Sequence, residues 1–290
     1  MIYVLTGATG TGKSRIAVEL AKKIGGEIVN ADAFQVYEGL KIATAYPDEK
    51  DMKEVPHHLY GFVPLNEAYN IHSYQEDCRR VIKEIIDRGH QPILVGGSGL
   101  YIRAALYDYD LTVDTTNVDM GVFKDMDNKA LHAKLEELDP KEAKKIPYQN
   151  RVRVERAIAL CLAAGKPKSE MIAAQEHAPI YPTKFYVLSK ERNDLYPAIE
   201  KRVDQMFADG LLEETVPLIE RYGREQAAFR AIGVKELFPY LDGECSLEDA
   251  KNAIKSDTRH YVKRQETFFR HQFHAKTVRN LEEILSDAAD

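Results

Sequence analysis

Gly7-Ala8-Thr9-Gly10-Thr11-Gly12-Lys13-Ser14 has the spacing Gly-x-x-x-x-Gly-Lys-Ser. Glycines let a tight turn aim successive backbone N–H groups at phosphate oxygens. Lys13 adds a point charge, Ser14 a hydroxyl suited to Mg²⁺, and a helix starting here adds its partial positive charge. The chemistry implied is the gripping of phosphates, the bland alternative being a glycine turn without a ligand. Asn30-Ala31-Asp32-Ala33-Phe34-Gln35-Val36-Tyr37 supplies the next candidate. Asp32 could ligate Mg²⁺ through water or take a proton from a nucleophile, or it could merely cap a turn. Gly96-Gly97-Ser98-Gly99-Leu100-Tyr101 allows close approach of a ligand to the backbone, or equally a strand-to-helix turn with Ser98 as N-cap.

Elements read from periodicity bring these segments together. Ile2–Thr6 reads as a buried strand, and Ser14–Ile24 as a helix with Ile16, Ala17, Leu20, Ala21 and Ile24 at helical spacing. Strands are predicted over Glu27–Asn30 and Pro92–Val95, with a helix between about Tyr74 and Arg88 turning Val81, Ile82, Ile85 and Ile86 inward. Short apolar strands alternating with helices predict a parallel sheet, and all three candidate segments then follow C-terminal strand ends, the edge where ligands bind in such sheets. From about Leu111 to Pro182 strand signals stop, while Leu131–Leu138 and Arg151–Ala164 are helical. A strand returns at Lys184–Leu188. Helices are expected over about Leu195–Phe207, Leu211–Glu220 and Leu247–Phe269, with a last strand at Lys276–Arg279.

The net charge of −6 over 290 residues argues against nonspecific binding of nucleic acid over the whole surface. Two segments run the other way. Arg151, Arg153 and Arg156 cluster on one predicted helix, and Lys251, Lys255, Arg259 and Lys263 recur every four residues along one face of another. One-sided charge in an acidic protein favours a polyanion contact over a solvated face. Cys78, Cys161 and Cys245 are odd in number and far apart, which suggests neither a disulfide framework nor a zinc site and points to a reducing cytoplasm. Pro56-His57-His58 has no third ligand at metal spacing, so packing or hydrogen bonding in a loop is the stronger reading. No export signal and no membrane span are visible, and a monomer is expected.

Together these segments resemble bacterial tRNA dimethylallyltransferases (tRNA isopentenyltransferases) over nearly the whole chain. The likeness is carried by Gly7–Ser14, by Asn30–Tyr37 with Ala33 in place of the usual serine, by Val55–Leu59 and Gly96–Ile102, and by Arg153–Ala157. Leu195–Tyr196, Arg202–Met206, Gly210–Glu214, Arg230–Glu236 and Thr258–Gln265 continue it. The segment Leu111–Asp125 is shorter than is usual in the family. The resemblance implies transfer of dimethylallyl from dimethylallyl diphosphate to the exocyclic amine of the adenine 3′ of the tRNA anticodon. Gly7, Ala8, Thr9, Gly10, Thr11, Gly12, Lys13 and Ser14 would then cradle the diphosphate. Lys13, Ser14 with Mg²⁺, and Arg230 would neutralise the leaving group, and Asp32 would be the base. It further implies that Gln35, Ser98 and Arg153 to Arg156 contact the RNA, joined by Lys255, Arg259 and Lys263 on the basic helix.

The expected architecture is an α/β, three-layer P-loop NTPase-like parallel sheet core, residues 1–110 and 183–290, with a helical insertion domain, 111–182, that holds the anticodon stem-loop. Three rivals stay open: a small-molecule or nucleotide kinase, a prenyltransferase of free adenine nucleotide, and a non-catalytic RNA-binding protein.

Overall fold

The computed structural model describes residues 1–289. Along the chain run β1 (Ile2–Gly7), α1 (Lys13–Ile24), β2 (Gly26–Asn30), β3 (His57–His58), α2 (Ile71–Asp87), β4 (Gln91–Val95) and α3 (Gly99–Leu106). There follow α4 (Asn128–Leu138), α5 (Arg151–Ala164), β5 (Thr183–Leu188), α6 (Arg192–Ala208), α7 (Leu211–Tyr222), α8 (Leu247–Gln272), β6 (Lys276–Val278) and α9 (Leu281–Ala289), with short helical turns between. The chain divides into two compact units, Met1–Leu106 with Tyr181–Asp290, and Tyr107–Ile180.

In the larger unit six strands form one parallel sheet in the order β3-β2-β4-β1-β5-β6. Tyr3 and Leu5 join Ile16, Leu20, Ile93 and Ile284 in one apolar cluster, which places α1 and α9 on that face. Ile2 and Val4, equally buried, point to the other face by strand alternation. There α2 and α3 pack, with Tyr74, Ile82 and Ile102 at 0% exposure. The central strands are buried on both faces and so read as unbroken apolar runs rather than alternating ones. Helices α6, α7 and α8 close over a second cluster around Phe229, Met206 and Ile254.

Register sets up the site. Leu5 pairs with Val95 and Asn30 with Val95 across β1, β4 and β2, so three strands end level. Thr6 Oγ1 donates to the Gly96 carbonyl at 2.7 Å and the Ala31 amide donates to the Val95 carbonyl at 2.8 Å, tying the loops beyond them together.

Two expectations change. Ile86 is 44% exposed while Val81, Ile82 and Ile85 are buried, because the helix presents only a narrow stripe to the sheet. His57 and His58 form a short edge strand beside β2. His57 Nδ1 bonds the Val55 carbonyl, and His58 Nε2 meets the buried Glu27 carboxylate at 2.5 Å. Burial alone would raise the Glu27 pKa, but hydrogen bonds from Arg88, His58 and His90 outweigh it and hold the carboxyl at about 2. His58, with Arg88 and His90, therefore serves a buried anion at the far end of β2, while His57 is held by its own loop. Among the described residues no helix is long and apolar enough to cross a membrane.

The smaller unit packs α4 against α5 around Leu131, Leu135, Val154 and Ile158. Asp139, at 0% exposure, accepts from the Glu142 amide and from both the amide and hydroxyl of Ser169, fixing the turn that follows α5. Arg151 is committed within the unit, bonding Glu155 and the Phe123, Lys124 and Met126 carbonyls. Arg153 and Arg156 are exposed and make no ion pair among the described residues.

Candidate active site

Helix α1 begins directly after Gly12, whose backbone is left-handed (φ 89°), and no side chain caps it. A conformation that other residues adopt only at a cost thus leaves the first N–H groups of the helix free for an anion. Thr11 Oγ1 and Lys13 Nζ each donate to the Ala8 carbonyl at 2.8 Å, folding the loop on itself. The cavity over this loop, about 360 Å³, is lined by Thr9, Gly10, Gly12, Lys13 and Ser14 together with Asp32, Gln35, Tyr60, Arg202, Tyr261 and Gln265.

Asp32 follows β2 in a turn built by its neighbours. Its amide donates to Asn30 Oδ1 at 2.9 Å, and Asp32 Oδ1 accepts from the Phe34 amide at 2.9 Å. Burial raises its pKa; the Phe34 hydrogen bond, Lys13, the Gln35 amide and Arg202 act against that rise. Capping and a functional role therefore coexist, since one carboxylate oxygen closes the turn while the side chain lines the cavity. Lys13 is pushed down to about 8, first by burial and then by Arg202, with Asp32 opposing. Lys13 and Arg202, with Arg15 at the rim, outnumber the one carboxylate and leave a net positive charge, the sign a diphosphate requires. Bound diphosphate should hold Lys13 protonated, so pyrophosphate binding near pH 9 should take up close to one proton, and Lys13→Met should abolish that uptake. Calorimetry in buffers of different ionisation enthalpy reads it.

Arg202 is the cation that sequence reading did not assign to the site. It projects from α6, and its Nη1 donates to Thr9 Oγ1 at 3.0 Å. Arg230, the expected partner of the leaving group, is exposed and does not line the cavity; its charge acts on the Tyr37 phenol instead. Tyr60, Tyr261 and Gln265 were likewise not expected at the site. Gln35 donates to the Thr44 and Ala45 carbonyls at 2.9 Å, pinning the segment that forms one wall. Ser98 stands where α3 starts, yet its hydroxyl accepts from the Ala33 amide at 3.1 Å rather than capping its own helix. Ala33 thus contributes its backbone where its side chain has no hydroxyl.

A second, smaller cavity of about 110 Å³ shares Thr9, Asp32, Thr44, Arg202 and Tyr261 with the first. Its remaining walls include Phe34, Ile199, Val203, Met206, Ile232 and Ile254. A phosphate cradle and an apolar chamber therefore meet at Asp32.

The basic face of α8 is largely matched within the protein. Lys255 pairs with Asp204 at 2.6 Å, Arg259 with Glu200 at 2.8 Å, and Lys251 lies over the Phe207 ring. Those charges hold α8 to α6, so the polyanion reading loses ground for Lys255 and Arg259. Lys263 is exposed and makes no ion pair among the described residues.

A parallel α/β sheet with a glycine loop between its first strand and helix, opening on an apolar chamber, defines a class of phosphate-gripping group-transfer proteins. Comparison narrows it. The sequence model of the IPP transferase family matches residues 35–272, and the chain belongs to that family. The tRNA dimethylallyltransferase of Geobacillus kaustophilus is 40% identical over 280 residues, 95% of this chain and 89% of the relative. That of Geobacillus thermodenitrificans is 41% identical over 276 residues, 93% and 88% respectively. The full-length tRNA isopentenylpyrophosphate transferase of Bacillus halodurans superposes with a TM-score of 0.75 at 33% identity, covering 99% of this chain and 95% of that one. A eukaryotic dimethylallyltransferase acting on tRNA gives 0.85 at 28% identity, covering 99% and 76%.

Proposed function

We propose that the chain transfers a dimethylallyl group from dimethylallyl diphosphate to the exocyclic N6 amine of the adenine 3′-adjacent to a tRNA anticodon, releasing pyrophosphate. The observation that carries this reading is the apolar chamber joined to the phosphate cradle at Asp32. A five-carbon apolar group on a diphosphate fits both halves. A kinase would need polar recognition of a nucleoside where Ile199, Val203, Met206 and Ile254 stand.

The allylic C1–O bond breaks as the N6–C1 bond forms, and the electron pair of the broken bond leaves on pyrophosphate. The glycine-loop amides, Lys13 and Arg202 neutralise that departing charge. The adenine amine is a weak nucleophile because its lone pair is delocalised into the ring, and attack leaves a proton that Asp32 accepts. Ser14 and, through water, Asp32 offer the hard oxygen donors that suit Mg²⁺ when diphosphate oxygens complete its shell. Bound Mg²⁺ would supply further neutralisation of the diphosphate.

A stacked base cannot reach Asp32, so the adenine must leave the anticodon stack. The smaller unit, with exposed Arg153 and Arg156, holds the anticodon stem-loop in this reading, and Gln35 and Ser98 lie beside the base. Each lost phosphate contact lowers the slope of log affinity against log salt by about 0.7–0.9. Arg153→Ala with Arg156→Ala should therefore flatten the slope by up to twice that amount, whereas Lys255→Ala and Arg259→Ala should change it less. Filter binding of tRNA across a salt series decides between the two surfaces. The reading extends to a cytoplasmic monomer acting on transfer RNA.

The test is incubation with Mg²⁺, labelled dimethylallyl diphosphate and either tRNA or free AMP, ADP and ATP. Label should enter tRNA alone. Label entering only free nucleotide would overturn the reading.

A further inference from the structure

Gln265 lies on the inward face of α8 with Val262 and Phe269 and is 4% exposed. Its carboxamide joins two loops. Oε1 accepts from the Thr9 amide at 3.0 Å, and Nε2 donates to the Gly97 carbonyl at 2.9 Å. The two partners fix its orientation, because a flipped amide would set donor against donor and acceptor against acceptor. Gly97 completes the fit, since a Cβ there would stand 2.2 Å from Nε2.

The bonds continue on both sides. Thr9 belongs to the phosphate loop and its hydroxyl receives Arg202. Beyond Gly97, Ser98 Oγ holds the Ala33 amide, next to Asp32. Tyr261, one turn earlier on α8, lies beside Ser98 and Gln265. One side chain thus spans the loop that grips the leaving group and the loop that holds the base.

We propose that Gln265 is a positioning residue that sets the distance and direction between the diphosphate and Asp32 through the two loops its carboxamide joins. This rests on the reading of Gly7–Ser14 as a diphosphate cradle and of Asp32 as the base. Group transfer is steeply sensitive to such placement, so small displacements cost rate more than affinity. Leucine at this position would orphan both loop groups, and glutamate would keep the Thr9 bond while setting a carboxylate against the Gly97 carbonyl.

The test measures kcat and both KM values, per mole of folded enzyme, for Gln265→Leu, Gln265→Glu and Gly97→Ala. Gln265→Leu should lower kcat by about tenfold or more while each KM stays within about threefold. Gly97→Ala, which leaves Gln265 in place but fills the carboxamide's position, should reproduce that split, and the double variant should be no worse than its poorer parent. A kcat within about twofold of wild type, a loss confined to KM, or additive losses would each overturn the proposal. If Gln265→Leu does not fold, Gln265→Glu and Gly97→Ala carry the same comparison. A wild-type enzyme that labels no tRNA sinks the underlying reading; a wild-type enzyme that does, beside unimpaired variants, sinks this inference alone.

Discussion

Asp32→Asn should lower kcat by about 10²–10⁴-fold, the range expected when a positioned general base is lost. Affinity for tRNA and for pyrophosphate should stay within a few-fold. Asparagine keeps the Oδ1 acceptor that the Phe34 amide uses, and Asn30 holds the turn from the other side through Asp32's own amide, so the loop survives the exchange. The proton acceptor and its negative charge disappear together. The wild-type kcat/KM for dimethylallyl diphosphate should rise with pH as Asp32, its pKa raised by burial, ionises, and fall again as Lys13 of the free enzyme loses its proton near pH 8. Asp32→Asn should lose the rising limb and keep the falling one. Initial rates at subsaturating dimethylallyl diphosphate across pH provide the check, and a near-normal rate in this variant would remove Asp32 as the base.

Arg202→Ala should cost about 10²–10³-fold in kcat, comparable with deleting one preorganised donor to a developing charge. Its guanidinium reaches the cavity from α6, touches the phosphate loop at Thr9 and stands beside both Lys13 and Asp32. Pyrophosphate should also bind more weakly, because the cavity loses one of its cations. Arg202→Lys should recover only part of the rate, since an ammonium lacks the planar fork that can hold Thr9 and a phosphate oxygen together. Arg230→Ala should leave pyrophosphate affinity nearly unchanged. Equal losses in the Arg202 and Arg230 variants would return the role to the residue that the sequence suggested.

The contrast between those two arginines shows what a sequence conveys about a site. Gly7–Ser14, Asp32 and Gly96–Gly99 were legible because each sits directly after a strand, and strand ends in a parallel sheet share one edge. Arg202 and Gln265 reach the same cavity from helices far along the chain, so no local spacing connects them to it. They do leave a trace. Arg202 lies on the stripe formed by Ile199, Val203 and Met206, and Gln265 on that formed by Val262 and Phe269. A polar residue on a buried helical face needs a partner, and here the partner is the phosphate loop. For the basic repeat on α8 the missing information was the opposite kind: Glu200 and Asp204, the carboxylates that pair with Arg259 and Lys255, lie on another helix and become neighbours only on folding.

The pairing of a phosphate cradle with an apolar chamber makes one central claim, that the acceptor brought to Asp32 is the exocyclic amine of an unstacked adenine. An anticodon stem-loop RNA carrying adenine 3′ of the anticodon, and the same RNA with inosine there, separate amine from ring. With labelled dimethylallyl diphosphate and Mg²⁺, the adenine RNA should take up label and the inosine RNA, which has a carbonyl in place of the amine, should not. Equal labelling of the two would contradict the account.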